Sequence, residues 1–282
     1  PMASILLAVG HMVYGCDLRT SPMTRLESAG GRPVQDSALA VLEADYVITC
    51  LPDYQSVKRV WLDNPDFLRN IRRNAILIDC STIGVEEART IASGVEAAGF
   101  SMLDAPVIGD PRDARARILS FAVGGSMAAF AEAKGILEDM GERVVHVGKN
   151  GMGQAAVLCS QMMTVVNLLA TAEAFALSER LGLPAEKLFE LASLSSATSW
   201  ALIERCPQSG LVPEAPSNNL YQGGVPSSMM LGYLRMTEQA GEKIDARIPL
   251  TNIARDLYAE YCDTRDPKLD FSAIIQILRN RG

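Results

Sequence analysis

At 282 residues the chain is longer than one compact core usually organises, which makes two domains the expectation. Its formal net charge of -7 leaves no broad cationic face for a phosphate backbone, so nucleic acid is not an expected partner. His11 and His146 are too few for a histidine metal cluster or a Ser-His-Asp triad, and Cys16, Cys50, Cys80, Cys159, Cys206 and Cys262 lack metal-like spacing. No metal is expected, and the thiols read as reduced in a cytoplasmic setting.

The start of the chain has neither the charged nor the apolar region of a secretory signal, and it opens without methionine, as a piece cut from a longer protein would. Short apolar runs follow at 12–16, 46–51, 75–80, 101–103, 118–123 and 144–147, with helix-like stretches between most of them. Such alternation predicts a mainly parallel sheet covered on both faces, with ligands beyond the carboxyl ends of the strands. From Gly153 the pattern turns helical, beginning with a long run that closes at Leu181-Gly182-Leu183-Pro184, where glycine caps and proline blocks continuation. Gln161, Asn167, Thr171 and Glu173 interrupt its apolar character, so it reads as a buried helix and no membrane is an expected partner. The change of period sets domains at 1–150 and 151–282, and the helix starting there would carry side chains toward a cleft between them.

Six short motifs then occur in order. They are Pro1-Met2-Ala3 with Gly10-His11; Thr49-Cys50-Leu51-Pro52; Asp79-Cys80-Ser81-Thr82-Ile83; Leu103-Asp104-Ala105-Pro106-Val107; Gly148 to Gly153 with its glycine-rich helix entry; and Pro216-Ser217-Asn218-Asn219 with Tyr221-Gln222-Gly223-Gly224. Together they resemble the β-hydroxyacid dehydrogenase family, and within it the 3-hydroxyisobutyrate dehydrogenases. The resemblance implies an α/β Rossmann-like, doubly wound sheet followed by an all-α domain of the 6-phosphogluconate dehydrogenase kind. It also implies an NAD(P)-dependent oxidoreductase. Family members open with a strand and a glycine-rich turn whose amides hold the pyrophosphate, and this chain starts just after that turn would end. Either a preceding segment supplies the first strand, or the strand is absent and dinucleotide binding is weakened.

Asp17 ends the second strand of the pattern, where an acid accepts from the adenosine ribose, which favours NAD over NADP; Arg19 is close enough to offset this. Carried over by resemblance, Leu51, Pro52, Ser56 and Thr82 line the nicotinamide half, although strand-end and helix-cap chemistry also suits them. Gly232 and Tyr233 replace a lysine and an aspartate near the nicotinamide, and Val225 stands for an aromatic after the glycine pair.

The substrate side departs from the family. Ile108-Gly109-Asp110 replaces a Ser-Gly-Gly that holds a carboxylate, Val157 occupies the position of the catalytic lysine, and Gln161 that of an asparagine one helical turn later. Trp200 keeps an aromatic pocket wall, and Arg205 replaces a tyrosine with a group able to grip a carboxylate or phosphate. The pocket is therefore expected to comprise Ile108, Gly109, Val157, Gln161, Trp200 and Arg205, with a small substrate whose anionic group, if it carries one, Arg205 would hold. Loss of general acid-base help costs on the order of 10²- to 10⁴-fold. Two readings remain open: an oxidoreductase acting on a small hydroxy acid, carbonyl or imine with its proton routed through water or Tyr233, and a non-catalytic nucleotide-binding or structural paralogue. The resemblance further implies a homodimer or homotetramer assembled through the helical half.

Overall fold

The structure, a computed structural model, describes residues 1–279. Its chain divides into two compact units, Pro1–Val157 and Leu158–Gly282. Strands β1 (Tyr14–Gly15), β2 (Arg32–Pro33), β3 (Tyr46–Thr49), β4 (Ile76–Asp79), β5 (Met102–Asp104), β6 (Val107–Ile108), β7 (Leu119–Gly124) and β8 (Gly141–Gly148) all belong to the first unit. Helix α1 (Met2–Ala8) precedes β1, and between the strands lie α2 (Thr20–Ser28), α3 (Ser37–Ala40), α4 (Tyr54–Trp61), α5 (Pro65–Asn70), α6 (Val85–Ala97), α7 (Pro111–Ala116) and α8 (Met127–Met140).

β1 and β2 form a separate two-stranded parallel sheet. The six-stranded sheet runs β3-β4-β5-β7-β6, with β8 on β7. Consecutive residues of β4 face opposite ways, as the strand period of two requires: Leu77 packs with Trp61, Ile91 and Val95, and Ile78 packs with Leu103, Phe121 and Leu137. Both faces are thus covered by helices. In α6, Ala88, Ile91, Ala92 and Val95 recur at helical spacing on the buried side.

The apolar runs read from the sequence locate the long strands, but the sheet is mixed. β7 lies antiparallel to both β5 and β6, while β7 and β8 are parallel. The segment from β6 to β7 contains only the 6-residue α7, shorter than a parallel crossover needs. By contrast α8, at 14 residues, spans the return from β7 to β8. The two-residue strands β1, β2 and β6 are too short to show a period.

The second unit is helical: α9 (Met152–Leu181), α10 (Ala185–Ser193), α11 (Trp200–Ile203), α12 (Ser227–Lys243), α13 (Pro249–Thr264) and α14 (Ile275–Arg279), with 3₁₀ turns at Pro216–Asn219 and Phe271–Ile274. α9 crosses the division between the units, since its first turns bond to strand ends of the first. By length and composition it is also apolar enough to cross a membrane. Here Val165, Leu168, Ala172 and Phe175 of α9 pack with Tyr258, Tyr261, Phe271 and Ile274 in the core of the helical unit.

Candidate functional site

At the carboxyl ends of β3, β4 and β5 a run of buried hydrogen bonds joins segments far apart in the chain. Trp61 Nε1 donates to Thr49 Oγ1 at 3.0 Å, and the Thr49 hydroxyl donates to Asp79 Oδ1 at 2.7 Å. Ser81 Oγ donates to the same carboxylate oxygen at 2.6 Å and accepts from the Leu51 amide at 2.8 Å. Gln154 is wholly buried and bridges the next segment: its Nε2 donates to Ser81 O at 2.8 Å and its Oε1 accepts from the Ile83 amide at 3.1 Å. Asp104 then accepts from the amides of Gly151 at 2.8 Å and Gln154 at 3.2 Å, at the start of α9. A carboxylate at a helix N-terminus meets both unsatisfied N–H groups and the positive end of the dipole.

Burial pushes the Asp79 carboxyl up to about 6, against the opposing effect of its bonds from Ser81 and Thr49 and with the Asp104 charge adding to the rise. Burial likewise raises Asp104, while the amides of Gly151 and Gln154 oppose it. A void of about 10 Å³ between them, bordered by Asn150 and Ala92, has room for one water. Gly153 is required at this joint because a Cβ there would lie 2.6 Å from Asp104 O and 2.5 Å from Ala122 O.

The relay brackets two of the residues expected to meet the cofactor. Leu51 is held through its amide, and Thr82 lies between Ser81 and Ile83, both bonded to Gln154. Pro52 is exposed after β3, and Ser56 sits in the first turn of α4, where its amide donates to the Asp53 cap at 2.7 Å. Asp17 follows β1 and is exposed; its carboxylate accepts from the Arg19 amide at 2.8 Å and from Arg19 Nε at 3.2 Å. Those hydrogen bonds from Arg19 hold the Asp17 carboxyl below its ordinary value. These strand-end groups fit a dinucleotide by chemistry: the hydroxyls of Ser56 and Thr82 and the Asp17 carboxylate lie beyond the ends of parallel strands.

Ile108 is half-buried at the end of β6, and Gly109 has φ +136°, a backbone state that a side chain rarely adopts. Asp110, read from the sequence only as an acid arriving in the pocket, caps α7 by accepting from the amides of Arg112 at 2.6 Å and Asp113 at 3.2 Å. Val157 is fully buried in the first turns of α9.

In the helical unit the structure brings Trp200 and Arg205 together, with the guanidinium carbon 5.3 Å from the indole centroid. Arg205 is itself buried and lies 3.9 Å from Asp270. Asp270 also accepts from the amides of Val225 at 2.9 Å and Ser272 at 3.0 Å and from the Ser272 hydroxyl at 2.6 Å. Burial raises its carboxyl, while Ser272 and Arg205 oppose the rise. Gly232 is on α12 with open space where a Cβ would be, Tyr233 beside it is buried, and Gln161 is half-buried on α9. His11 pairs with Asp139 at 2.7 Å, and His146 Nε2 is 2.9 Å from Gly125 O. Among the described residues no His, Cys, Asp or Glu side chains gather in a metal-like group.

Asp79, Ser81, Asp104 and Gln154 had no role assigned from the sequence. Their only local signal is an acid at the end of an apolar strand, because their partners lie 47 to 73 residues away where the bonds reach α9.

Residues 1–148 match the NAD-binding domain of 6-phosphogluconate dehydrogenase, and residues 151–278 match a domain described as NAD-binding of NADP-dependent 3-hydroxyisobutyrate dehydrogenase. A 3-hydroxyisobutyrate dehydrogenase of Pseudomonas aeruginosa is 38% identical over 100% of this chain and 95% of its own. An NAD-dependent L-serine dehydrogenase of the same organism is 34% identical over 97% of this chain and 92% of its own. The solved Mycobacterium tuberculosis 3-hydroxyisobutyrate dehydrogenase with L-serine superposes with a TM-score of 0.94 at 37% identity, over 99% of this chain and 94% of that one. Both matched regions are dinucleotide-binding, which makes NAD(P) the cofactor of this fold. Matched from end to end, the chain belongs to the β-hydroxyacid dehydrogenase family.

Proposed function

We propose that the chain is an NAD-dependent oxidoreductase with an altered substrate side, acting on a small hydroxy acid, carbonyl or imine. The observation that carries the altered substrate side is Val157: an alkyl group, fully enclosed, on the helix position where the family resemblance calls for lysine. Gln161, four residues later, offers only an amide on the same face.

Leu51, Pro52, Ser56 and Thr82 would hold the nicotinamide half, with Gly232 leaving room beside it, and Asp17 would accept from the adenosine ribose, which disfavours a 2′-phosphate. A bound nicotinamide supplies hydride chemistry. The chain's own contribution is positioning: Asp79, Ser81 and Gln154 fix the segments carrying Leu51 and Thr82. When an alcohol is oxidised its carbon loses hydride and its oxygen a proton, and Val157 can take no proton. That proton passes to water, directly or through the Tyr233 hydroxyl, so oxidation depends on base from solvent. Ile108, Gly109, Val157, Gln161, Trp200 and Arg205 are the proposed pocket, with Arg205 the group for an anionic substrate. L-Serine and 3-hydroxyisobutyrate, named in the relatives' descriptions, each carry a hydroxyl and a carboxylate and are the first substrates to screen.

The second reading, a non-catalytic nucleotide-binding or structural paralogue, is favoured by the same Val157. Titration of the full chain with NADH and NADPH, followed by nicotinamide fluorescence, together with assay of NAD turnover on L-serine and 3-hydroxyisobutyrate, decides between them. Saturable NADH binding with weaker NADPH binding and measurable turnover supports the oxidoreductase; binding without turnover leaves the nucleotide-binding paralogue, and absence of either nucleotide at millimolar concentration leaves the structural one. Assembly as a homodimer or homotetramer through the helical unit is part of the proposal, supported by exposed Leu177, Leu181, Leu191 and Leu194. Residence in a reducing cytoplasm is supported by six unpaired cysteines.

A further inference from the structure

The start of α13 leaves its first turn without a side-chain cap. This helix has 16 residues, and Pro249 occupies its first position. The amides of Leu250 and Thr251 therefore belong to the turn that intrahelical bonding does not satisfy, at the positive end of the dipole. Two further groups converge there. Arg247 is exposed and forms no ion pair among the described residues. Thr251 is only 1% exposed, and its Oγ1 has no hydrogen-bond partner among the described residues. A buried hydroxyl left without a partner is costly, and a ligand that accepts from it removes the cost.

These groups border a groove of about 410 Å³. Its other wall is α9, which contributes Met162, Met163, Val166 and Asn167. The volume lies within the roughly 300–1,000 Å³ typical of small-molecule sites. One end of the groove thus has a cation, helix amides and, just beneath its surface, a hydroxyl; its wall presents thioethers and a branched alkyl group, surfaces that adapt to flexible chains.

We propose that this groove in the helical unit binds a small monocarboxylate with a short alkyl chain, its carboxylate at Arg247 and the first turn of α13 and its chain along Met162, Met163 and Val166. One guanidinium matches one carboxylate, and the hydroxyl of Thr251 and amide of Asn167 can donate to the same oxygens. The site uses none of the residues assigned to cofactor or substrate, so it does not depend on the chain being an active oxidoreductase.

The probe is hexanoate, titrated into the full chain and followed by saturation-transfer proton NMR, with hexan-1-ol as the neutral compound of equal length. Saturable hexanoate binding in the millimolar range is expected, with hexanol about tenfold weaker or more. Arg247→Gln is expected to weaken hexanoate by about tenfold and Thr251→Val by several-fold. Arg247 is at the surface, so its variant stays informative if Thr251→Val fails to fold. The proposal is overturned by no saturation at about 50 mM, by equal binding of hexanol, or by binding that survives Arg247→Gln at full strength.

Discussion

Asp104 and Asp270 are both buried carboxylates that gather backbone amides where one element gives way to the next, yet their charges are met differently. Asp104 is answered by the N-terminal amides of α9, together with a network of neutral donors that continues through Gln154, Ser81 and Asp79. Asp270 is answered by Val225, Ser272 and a guanidinium, Arg205, stacked against Trp200. The first unit thus solves a charge problem with dipoles spread over several segments, and the helical unit solves it with one ion pair. A dispersed network tolerates loss of one member better than an ion pair does, because removing half of a buried pair leaves the other charge exposed to a low-dielectric surrounding.

The sharpest way to break the contrast is to put a cation into the first unit. Val157→Lys restores a proton-transferring group, and turnover of L-serine or 3-hydroxyisobutyrate with NAD is expected to rise by about 10²- to 10⁴-fold in steady-state assays. Its rate should also lose the steep rise with pH expected of the native chain. If Val157→Lys folds, binds NADH and gains nothing, Val157 is not the position that removed acid-base help.

Next in size is Asp270→Ala, which takes away the charge facing Arg205 and the acceptor of two amides. Urea unfolding of the helical unit should show a loss of about 3–5 kcal/mol. A loss below about 1 kcal/mol would mean that Arg205 and Asp270 are not energetically joined.

Asp79 tests the dipole solution through pH. Its carboxyl titrates at about 6 in the folded protein against 3.8 when unperturbed. The folded state therefore binds the proton more tightly, and the stability this contributes is fully present below about pH 4, declines as pH rises towards 6 and is absent above it. The decline amounts to about 3 kcal/mol. Asp79→Asn should lack that slope, so the difference between variant and native unfolding free energies should itself change by about this amount across the window; a difference that does not vary with pH refutes the assignment.

The smallest effect belongs to Gln154→Leu, which keeps the volume and removes both side-chain bonds to Ser81 and Ile83. A destabilisation of about 1–3 kcal/mol is expected, since two buried backbone groups lose partners. NADH affinity should fall with it, because the segment holding Thr82 is released; affinity unchanged in a destabilised variant would separate the relay from cofactor binding.

How far these features could be read from the sequence follows from their range. The strands Tyr46–Thr49 and Ile76–Asp79 announce themselves as runs of branched apolar residues, and α9 by its length and its Gly182-Leu183-Pro184 stop. The pairing of Trp200 with Arg205 was within reach too, being five residues apart. Asp110 was not: its acidic side chain reads as a new charge in a pocket until its bonds to Arg112 and Asp113 make it a helix cap. The same holds for β6, too short for any period, whose antiparallel pairing with β7 turns the sheet mixed.

By itself, then, the order of residues determined the strand-helix alternation, the switch to an all-helical second half, the family and the presence of an alkyl group at position 157, because each rests on local periodicity or on motifs a few residues long. Only the tertiary structure decided that Asp79, Asp104 and Gln154 form one buried relay, and that Arg205 answers Asp270. Those are contacts between residues 65 to 73 apart for Arg205 with Asp270 and Gln154 with Ser81, and a hydrogen bond made at such separation leaves no trace in the spacing of either partner's neighbours.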